Sequence, residues 1–365
     1  MSALITLALF LIWHTFYSFA STNSVPKRPL QNILGSKKLA LGAASIPALW
    51  FGKQFLDGPT YTGAAASMTG KDVVITGGNT GLGKEAAIAL ASLGAHVTIL
   101  CRSTERGNAA VEEIKSLSGS DMVSAEVCDL ADLNSIDECS KRLLSSMAKV
   151  DVLMNNAGVM AIPQREVTSN GFEKHMGINH LGHFALTSNL MPLVEKSEAG
   201  RIVTVSSTAH LLGKLDRSNL LLESGYEPWP AYGNSKLANV LFTKALAAKL
   251  KEKGSRVVAL VNHPGVCRTE LGRYIFDPSK VTVPKFLYPV LGVVGAPAIY
   301  FTKSAKQGAQ TQIFLAASPS ISAEDSGRYF DNSREADTSP ESKDMDEAEW
   351  LWQQSEALTG RQFKL

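Results

Sequence analysis

The segment from residue 71 to residue 94 constrains the fold of this chain more than any other. A β-branched run at 73–75 is typical of a buried strand, and it leads into a turn with glycines at 77, 81 and 83. A helical pattern of apolar residues follows and stops at Gly94. Such glycines let the backbone approach a phosphate, which the N–H groups at a helix start can bind. The spacing Gly-x-x-x-Gly-x-Gly therefore predicts nucleotide binding.

The rest of the chain repeats this alternation of strand and helix. Short apolar runs predict strands near 72–76, 96–101, 122–127, 150–154, 201–206 and 256–262, with a further short strand at Tyr329. Helical periodicity falls near 82–93, 104–117, 133–146, 172–195, 231–252 and 306–317. The pattern predicts an α/β fold, a doubly wound parallel sheet of about seven strands with helices on both faces, which is the Rossmann fold.

Polar residues follow two of these strands where each strand ends. The strand at 150–154 leads into an Asn-Asn-Ala-Gly turn at 155–158, and the strand at 201–206 ends in the hydroxyls of Ser206 and Ser207. Asn side chains can brace neighbouring strand ends through backbone groups. Because ligands of open α/β sheets bind at the carboxyl ends of the strands, we expect a site at this edge.

A tyrosine and a lysine lie four residues apart in the helix predicted at 231–252. Tyr232 and Lys236 would therefore share one face, about one turn apart. A nearby ammonium favours the ionised form of a phenol, so Lys236 is expected to lower the pKa of Tyr232. A phenol with a lowered pKa can exchange a proton with an alcohol or a carbonyl near neutral pH.

Composition narrows the classes of function. The chain has 365 residues, 45% of them apolar, and a formal charge of +2, which does not indicate nucleic-acid binding. Its four cysteines, Cys101, Cys128, Cys139 and Cys267, lack metal-site spacing and are interpreted as reduced thiols, so no metal is expected.

The N-terminal region 1–66 differs from the rest of the chain. Its first 56 residues contain no Asp or Glu, and residues 3–13 form an apolar run that suits a signal peptide or a short membrane anchor. A second apolar patch at 39–51 is too short to predict a membrane span. We expect targeting to the endoplasmic reticulum membrane or the secretory route. Import into a plastid through a bipartite presequence is the alternative.

The motifs, in this order, resemble the short-chain dehydrogenase/reductase superfamily, and within it the retinol-dehydrogenase-like reductases. The resemblance runs from about residue 70 to about residue 360. The positions that carry it are Thr76, Gly77, Gly81, Gly83, Asp129, Leu130, Asn155, Asn156, Ala157, Gly158, Asn179, Ser206, Ser207, Tyr232, Lys236, His263, Pro264 and Gly265. It implies an oxidoreductase that acts on CH–OH groups, with a single catalytic domain at 67–365 that ends in a helix at 346–360.

The resemblance also implies four catalytic roles. Tyr232 protonates the carbonyl oxygen as hydride arrives, and Lys236 lowers the pKa of Tyr232 and binds the nicotinamide ribose. Ser207 donates a hydrogen bond to the reacting oxygen. Asn179 holds a water that links Lys236 to solvent.

The end of the second strand indicates which cofactor is used. A carboxylate there would bind the ribose 2′-OH of NAD, but the strand ends in Cys101, Arg102 and Ser103. Arg102 can instead contact the 2′-phosphate of NADP(H) through charge-assisted bonds, and Ser103 can add a hydroxyl. NADP(H) is therefore predicted, although Thr80 stands where some NADP-using relatives carry a base.

By resemblance, the cofactor is contacted from several parts of the sheet edge. The predicted contacts are Thr76, Gly77, Asn79, Thr80, Gly81, Leu82, Gly83, Arg102, Asp129, Leu130, Asn156, Ala157, Gly158, Tyr232, Lys236, Pro264, Gly265 and Thr269. His180 and His183, which flank Asn179, are interpreted as packing or surface residues.

An apolar segment at 271–300, interrupted by Pro and Gly, corresponds by resemblance to a substrate lid. An apolar lid suits a lipophilic alcohol or carbonyl, such as a retinoid, a sterol or a long-chain aldehyde, and could contact a membrane. A packed pair of core helices is the alternative for this segment. For the whole chain, the alternatives are a catalytically idle NADP(H) sensor that binds a protein partner and a pigment reductase of the protochlorophyllide type. The sequence leaves the oligomeric state open.

Overall fold

The computed structural model describes residues 53, 57–62, 67–267 and 302–364. The chain divides into two compact units, and Gly58–Asp277 with Lys303–Leu365 forms the unit that holds every element named below. In the other unit, Lys53 and Asp57 form an ion pair. Most of the predicted N-terminal region and all of the segment at 271–300 lie outside the described residues. These assignments, and the domain boundary at residue 67, stay predictions.

The described residues form one sheet of eight strands in the order β3-β2-β1-β4-β5-β6-β7-β8. Along the chain these are β1 (Asp72–Thr76), β2 (His96–Cys101), β3 (Val123–Val127), β4 (Val152–Asn155), β5 (Arg201–Val205), β6 (Val258–His263), β7 (Tyr329–Asp331) and β8 (Arg334–Glu335). The strands β1 to β7 pair in parallel, and β8 is antiparallel to β7. The strand order reverses between β1 and β4, and a ligand crevice is expected outside that point. The predicted doubly wound fold is confirmed.

The predicted number of about seven strands is wrong by one, because β8 was missed. Asn332 and Ser333 have φ values of 50° and 59°, so the chain reverses in a two-residue turn of the kind that favours hairpins. Arg334 and Glu335, which form β8, are exposed and charged and lack the apolar alternation that indicates a strand.

Helices cover both faces of the sheet. Their bounds are α1 (Gly81–Ser92), α2 (Thr104–Ser118), α3 (Leu133–Ser146), α4 (Gly182–Val194), α5 (Pro228–Glu252), α6 (Ala305–Gly308), α7 (Gln310–Ala317) and α8 (Met345–Thr359). Helices α1, α2 and α7 contribute to one apolar layer, and α3, α4, α5 and α8 contribute to the other. None of the helices among the described residues is both long enough and apolar enough to cross a membrane.

Burial on both faces explains the continuous apolar run of β1. Val73 and Ile75 belong to the layer with α1, whereas Val74 belongs to the layer with α4 and α5. All three are fully buried, as expected for a central strand of a parallel sheet.

Two helices position the site and differ in how they begin. Helix α5 starts at Pro228, a residue that suits the first turn of a helix because its missing N–H has no partner there in any case. Helix α4 is preceded by a π-helix at Met176–Leu181, where the sequence predicts one regular helix over 172–195. Short π segments inside helices often occur at functional sites.

The C-terminal helix α8 packs against α5 and contributes Leu351 and Trp352 to the apolar layer that contains α3, α4 and α5. It begins at the N-cap Asp344 and ends at Gly360, whose φ of 65° terminates the helix. Trp352 of α8 contacts Phe184 and Phe242 at ring-centroid distances of 5.2 and 5.9 Å. The predicted helix at 346–360 is thus present with its ends shifted by one residue.

Candidate active site

The turn after β1 presents an open helix start to a cavity. Helix α1 begins at Gly81, and its N-cap Thr80 makes no side-chain capping bond. No acidic residue lies in the first turn. The N–H groups at such a start, and the positive end of the helix dipole, favour a bound anion.

Gly83 shows why this turn needs glycine. A Cβ atom at that position would lie 2.5 Å from the Asn156 side-chain nitrogen, closer than real contacts allow. The turn after β1 therefore packs directly on the turn after β4. Asn156 strengthens this contact by donating from Nδ2 to the Thr76 carbonyl oxygen over 2.8 Å.

A cavity of about 500 Å³ lies at this edge of the sheet. Twelve of the predicted cofactor-binding residues line it: Thr76, Gly77, Asn79, Thr80, Gly81, Leu82, Arg102, Asp129, Leu130, Asn156, Ala157 and Gly158. Gly83 lies behind the turn and is not among the lining residues. The structure thus brings together most of the side chains that the sequence proposes for a cofactor.

Pro264 and Gly265 do not line this cavity, and Thr269 lies outside the described residues. The loop after β6 nevertheless lies beside the start of α1. A Cβ atom on Gly308 would be 2.7 Å from Leu82 Cδ2 and 3.3 Å from the Pro264 carbonyl oxygen. Gly308 therefore lies between Pro264 and the glycine turn and contacts both.

The β2–α2 turn forms the positively charged end of the cavity. Arg102 and Arg106 both line it, and only Arg102 was expected from the sequence. Ser103 caps α2, because its hydroxyl accepts from the Arg106 backbone N–H over 3.3 Å and donates to Glu105 Oε2 over 2.6 Å. The expected contact from Ser103 to a phosphate would compete with these bonds. Its position four residues after Arg102, on the first turn of a predicted helix, is the sequence signal that could have identified Arg106 as a second cation of the site.

Tyr232 and Lys236 are both buried, on the face of α5 that turns toward the sheet. Lys236 Nζ lies 5.7 Å from the centre of the Tyr232 ring and donates to the Val205 carbonyl oxygen over 3.0 Å. Burial lowers the pKa of Lys236 to about 8. Burial raises the pKa of Tyr232 to about 12, while a hydrogen bond with Ser207 acts in the opposite direction.

These values differ from the sequence-based expectation that Lys236 lowers the pKa of Tyr232. The loss of solvation is the larger effect for both groups, and it disfavours the charged form of each. Helical spacing correctly places the two side chains on one face, but it carries no information about how deeply that face is buried.

Ser207 and Asn179 reach the same place from two other elements. Ser207 follows β5 and accepts from the Ala209 N–H over 3.1 Å. Asn179 lies in the π-helix, where its Oδ1 accepts from the Val159 N–H over 2.8 Å. Its Nδ2 donates to the Val159 carbonyl oxygen over 3.0 Å and to Ser235 Oγ over 2.9 Å. Every polar atom of the Asn179 side chain is therefore held in place.

Gly158 marks the point where these side chains meet the cavity. A Cβ atom there would lie 3.1 Å from Asn179 Oδ1 and 3.6 Å from Lys236 Nζ. Since Gly158 also lines the cavity, Asn179 and Lys236 adjoin the space that the glycine turn opens. Tyr232 lies beside Lys236 and is hydrogen-bonded with Ser207. None of these four residues, Tyr232, Lys236, Ser207 and Asn179, is itself among the residues that line the cavity.

His180 and His183 are both buried, and they have different partners. His180 Nε2 lies 2.8 Å from Ser355 Oγ of α8, which agrees with a packing role. His183 Nε2 lies 2.8 Å from Thr76 Oγ1, and its Nδ1 lies 3.0 Å from the Asn179 carbonyl oxygen. The interpretation of His183 as a packing or surface residue therefore misses its contacts with two residues of the site.

Two further features bear on what the site can bind. Among the residues that the structure describes, no group of three or more His, Cys, Asp or Glu side chains could hold a metal ion. A second hollow of about 760 Å³ lies between α4, α8 and the residues after α8, away from Tyr232. The cavity at the glycine turn, with its open helix start and two guanidinium groups, instead fits a dinucleotide phosphate chain.

Comparisons with known proteins agree with this geometry. Residues 71–280 match the family described as short chain dehydrogenase. The chain is 39% identical to human retinol dehydrogenase 13 over 296 residues, covering 81% of this chain and 86% of that protein. It is 37% identical to mouse retinol dehydrogenase 14 over 342 residues, covering 90% and 98%.

Solved structures show the same fold. An uncharacterised protein from Mycobacterium paratuberculosis superposes with a TM-score of 0.65 at 34% identity, covering 84% of this chain and 100% of the other. A short chain dehydrogenase from Shigella flexneri, solved in complex with NADP, superposes with a TM-score of 0.55 at 23% identity, covering 73% and 98%.

Proposed function

For this chain, which belongs to the short-chain dehydrogenase/reductase family and to its retinol-dehydrogenase-like subgroup, we propose an NADP(H)-dependent oxidoreductase that interconverts an alcohol and a carbonyl on a lipophilic substrate. One observation carries this proposal. Asn179 and Lys236 adjoin Gly158 at the end of the cavity that begins at the glycine turn. A nicotinamide that extends from that turn would reach the side chains able to exchange a proton with the substrate.

The preference for NADP(H) is supported by the charges around the β2–α2 turn. Arg102 and Arg106 line the cavity there, and no carboxylate of that turn lines it. Glu105, the nearest carboxylate in sequence, accepts from Ser103, and this bond lowers its pKa. Two guanidinium groups favour a 2′-phosphate over a 2′-hydroxyl, because charge-assisted bonds to phosphate are about twice as strong as neutral ones.

In the proposed reaction, the bound nicotinamide supplies or accepts the hydride. Tyr232 donates its phenolic proton to the carbonyl oxygen during reduction and takes it back during oxidation. Ser207 Oγ donates a hydrogen bond to the same oxygen and stabilises the negative charge that develops on it. Both side chains are fixed by the backbone, since Tyr232 lies on α5 and Ser207 caps the 3₁₀ turn at Thr208–Leu212.

Lys236 and Asn179 would support Tyr232 in two ways. An ammonium at Lys236 can bind the nicotinamide ribose and stabilise the phenolate that remains after proton transfer. Because burial lowers the pKa of Lys236 to about 8, this ammonium gives up a proton more readily than an exposed lysine does. Asn179 stands beside it and can hold the water through which a proton returns.

A lipophilic substrate is supported by the wall beside Tyr232 and by the relatives. Trp229 contacts the Tyr232 ring edge-on at 6.3 Å between centroids. Leu212, at the end of the 3₁₀ turn that follows Ser207, is 49% exposed. The relatives are named as retinol dehydrogenases, which suggests a retinoid or another long-chain aldehyde for this chain as well.

We propose to test the function by measuring NADPH and NADH oxidation with retinal, sterol ketones and long-chain aldehydes. Wild-type protein should consume NADPH with at least one of them, and Tyr232→Phe should lower kcat by about a thousandfold, as expected when a proton donor is lost. NADPH affinity should change little, because only a hydroxyl is removed. Normal turnover by Tyr232→Phe would refute the assigned roles. NADPH binding without turnover of any carbonyl would favour an idle sensor, and turnover that needs light and a pigment would favour a pigment reductase.

Attachment to a membrane of the secretory route is a separate proposal that rests on residues 1–66. The apolar run at 3–13 and the absence of acidic residues in the first 56 positions support it. A fluorescent reporter fused after residue 66 should label the endoplasmic reticulum. Labelling of plastids would favour the bipartite presequence instead.

A further inference from the structure

His183 is fully enclosed between the two parts of the site. It lies on the first turn of α4, four residues after Asn179, and is only 1% exposed. One ring nitrogen faces the Asn179 carbonyl oxygen at 3.0 Å, and the other faces Thr76 Oγ1 at 2.8 Å. The imidazole therefore bridges the end of β1, where the glycine turn begins, and the π-helix that carries Asn179.

The partners of His183 determine which nitrogen carries its proton. A carbonyl oxygen can only accept, so Nδ1 must donate to Asn179. Burial lowers the pKa of His183 to about 4, and the charge on Lys236 also disfavours a second proton on the ring. The ring is therefore neutral at neutral pH, and Nε2 has a lone pair that faces Thr76.

This arrangement fixes the direction of the Thr76 hydroxyl. Thr76 has one hydroxyl proton and two acceptors within reach, His183 Nε2 at 2.8 Å and the Met154 carbonyl oxygen at 3.3 Å. The shorter contact is the stronger one, so the proton goes to His183. The oxygen lone pairs are then free to accept from the N–H groups of Asn156 and Ala157, each at 2.9 Å.

The consequence reaches the cofactor cavity, because Asn156 and Ala157 line it. If the Thr76 hydroxyl proton pointed toward the turn after β4, it would face the two N–H groups that now donate to the hydroxyl oxygen, and those two hydrogen bonds would be lost. The Met154 carbonyl oxygen is the more distant acceptor, at 3.3 Å, so His183 provides the shorter bond that keeps the Thr76 lone pairs directed at this turn.

We propose that His183, as the neutral Nδ1–H tautomer, is a positioning residue that aligns the turn after β4 for cofactor binding and joins it to the Asn179–Lys236 pair; this inference rests on the proposed function. His183 does not touch the reacting atoms. It acts through Thr76 on one side and through the backbone of Asn179 on the other.

Three substitutions separate the two contacts of His183. His183→Gln can present an amide oxygen to Thr76, whereas His183→Asn can present only an amide N–H to the Asn179 carbonyl. His183→Leu can present neither. We expect the dissociation constant for NADPH, measured by fluorescence titration, to stay near the wild-type value in His183→Gln and to rise about tenfold in the other two.

A double-mutant cycle with Thr76→Val tests whether His183 acts through the hydroxyl. Thr76→Val alone and His183→Leu alone should each weaken NADPH binding about tenfold. The double variant should also be about tenfold weaker, because both changes remove the same interaction. A hundredfold loss in the double variant would mean that the two residues act independently, and would overturn the proposal.

The matched control is His180, the neighbouring buried histidine whose Nε2 faces Ser355 on α8. His180→Leu should lower the melting temperature and leave the NADPH dissociation constant unchanged. If both histidine variants weakened NADPH binding equally, the effect would reflect general loss of packing and would contradict the specific role of His183.

The tautomer can be measured without any turnover or cofactor. In protein labelled with ¹⁵N-histidine, the His183 resonances should be those of a neutral Nδ1–H ring between pH 6 and 8. Thr76→Val should shift the Nε2 resonance, since it removes the proton donated to that nitrogen. An Nε2–H tautomer would overturn the proposal even if the wild-type protein reduces carbonyls. The expected tautomer in a protein that reduces none would leave His183 supported and refute only the proposed function.

Discussion

At the amino end of the sheet, the buried carboxylate of Asp151 has both oxygens paired, whereas several buried polar atoms near the carboxyl end have no hydrogen-bond partner among the described residues. Asp151 receives bonds from Lys71, Lys149, Ser197 and the Asp72 N–H. The unpaired atoms include Asn155 Oδ1, Thr204 Oγ1, Asn239 Oδ1 and both polar atoms of the Asn262 side chain.

The difference separates the part of the sheet that holds the fold together from the part that carries the site. The carboxylate of Asp151 ties the start of β1 to the start of β4 through Lys71 and the Asp72 N–H, and breaking such buried pairing is strongly destabilising. Polar groups that are buried without a protein partner are uncommon, and a role in a functional site is one explanation for them. At the carboxyl end, Asn155 and Asn239 each use only the amide nitrogen within the fold, in bonds to Thr187 and to the Val205 carbonyl oxygen.

The largest effect on stability is expected from Asp151→Asn. This change leaves Lys71 and Lys149 facing a neutral amide, and it should lower the free energy of unfolding by about 3 kcal/mol. Urea unfolding followed by circular dichroism measures the loss. NADPH affinity should not change, because Asp151 lies at the opposite end of β4. A loss of NADPH affinity would show that the two ends of the sheet are coupled.

At the carboxyl end, Arg102→Ala should have the opposite profile. Removing one charge-assisted contact should weaken NADPH binding by about 2 kcal/mol, or roughly thirtyfold, while NADH binding stays the same. Urea unfolding should give the wild-type midpoint. Arg142→Ala, which removes a cation that pairs with Glu126 instead, is the control. An equal loss of affinity for both cofactors would contradict a role for Arg102 in selecting the 2′-phosphate.

Acid should destabilise the protein through Asp151. Burial would raise the pKa of Asp151, but the bonds from Lys149, Asp72, Ser197 and Lys71 outweigh burial and lower it. The stability from this group is therefore complete above the unfolded pKa of about 3.9 and is lost as pH falls through the folded pKa.

The pH dependence can be isolated with the same variant. Below about pH 4, the wild-type protein should lose up to about 1.4 kcal/mol per pH unit that Asp151→Asn does not lose. Parallel curves of unfolding free energy against pH for the two proteins would contradict this assignment.

The smallest effects should come from single hydroxyls at the two ends. Thr204→Val removes a buried hydroxyl with no partner among the described residues, and it should change stability by less than about 0.5 kcal/mol. Ser197→Ala removes a 2.7 Å bond to Asp151 and should cost about 1 kcal/mol or more. Thermal unfolding of both variants compares them, and an equal loss would remove the distinction between the two ends.

Features that depend on local sequence were predictable. The apolar run at 73–75 predicted β1, and the glycine spacing predicted the turn that follows it. The four-residue spacing predicted that Tyr232 and Lys236 share one face of α5. Each of these follows from neighbours along the chain. The strand β8 has only two residues, so it has no period that could be recognised.

Features that depend on tertiary contacts were not predictable in the same way. Burial reverses the expected direction of the Tyr232 pKa, and burial is a property of the whole fold. The role of His183 depends on Thr76, which is far from it in sequence. The sequence suggests Ser103 as a phosphate contact. In the structure its hydroxyl instead caps α2 by accepting from the Arg106 N–H.

The π-helix at Met176–Leu181 makes the site sensitive to chain length. Such a segment holds about one residue more than a regular helix of the same height, and deleting that residue would let the helix wind normally. Each residue of an α-helix turns the chain by about 100°, so the deletion would rotate Asn179 away from Val159 and Ser235 while Phe184 stayed against Trp352. All six residues of this segment are buried, and Met176, Ile178 and Leu181 belong to the same apolar layer as Phe184. Shortening the segment by a single position would therefore disassemble the site and repack the part of that layer next to it.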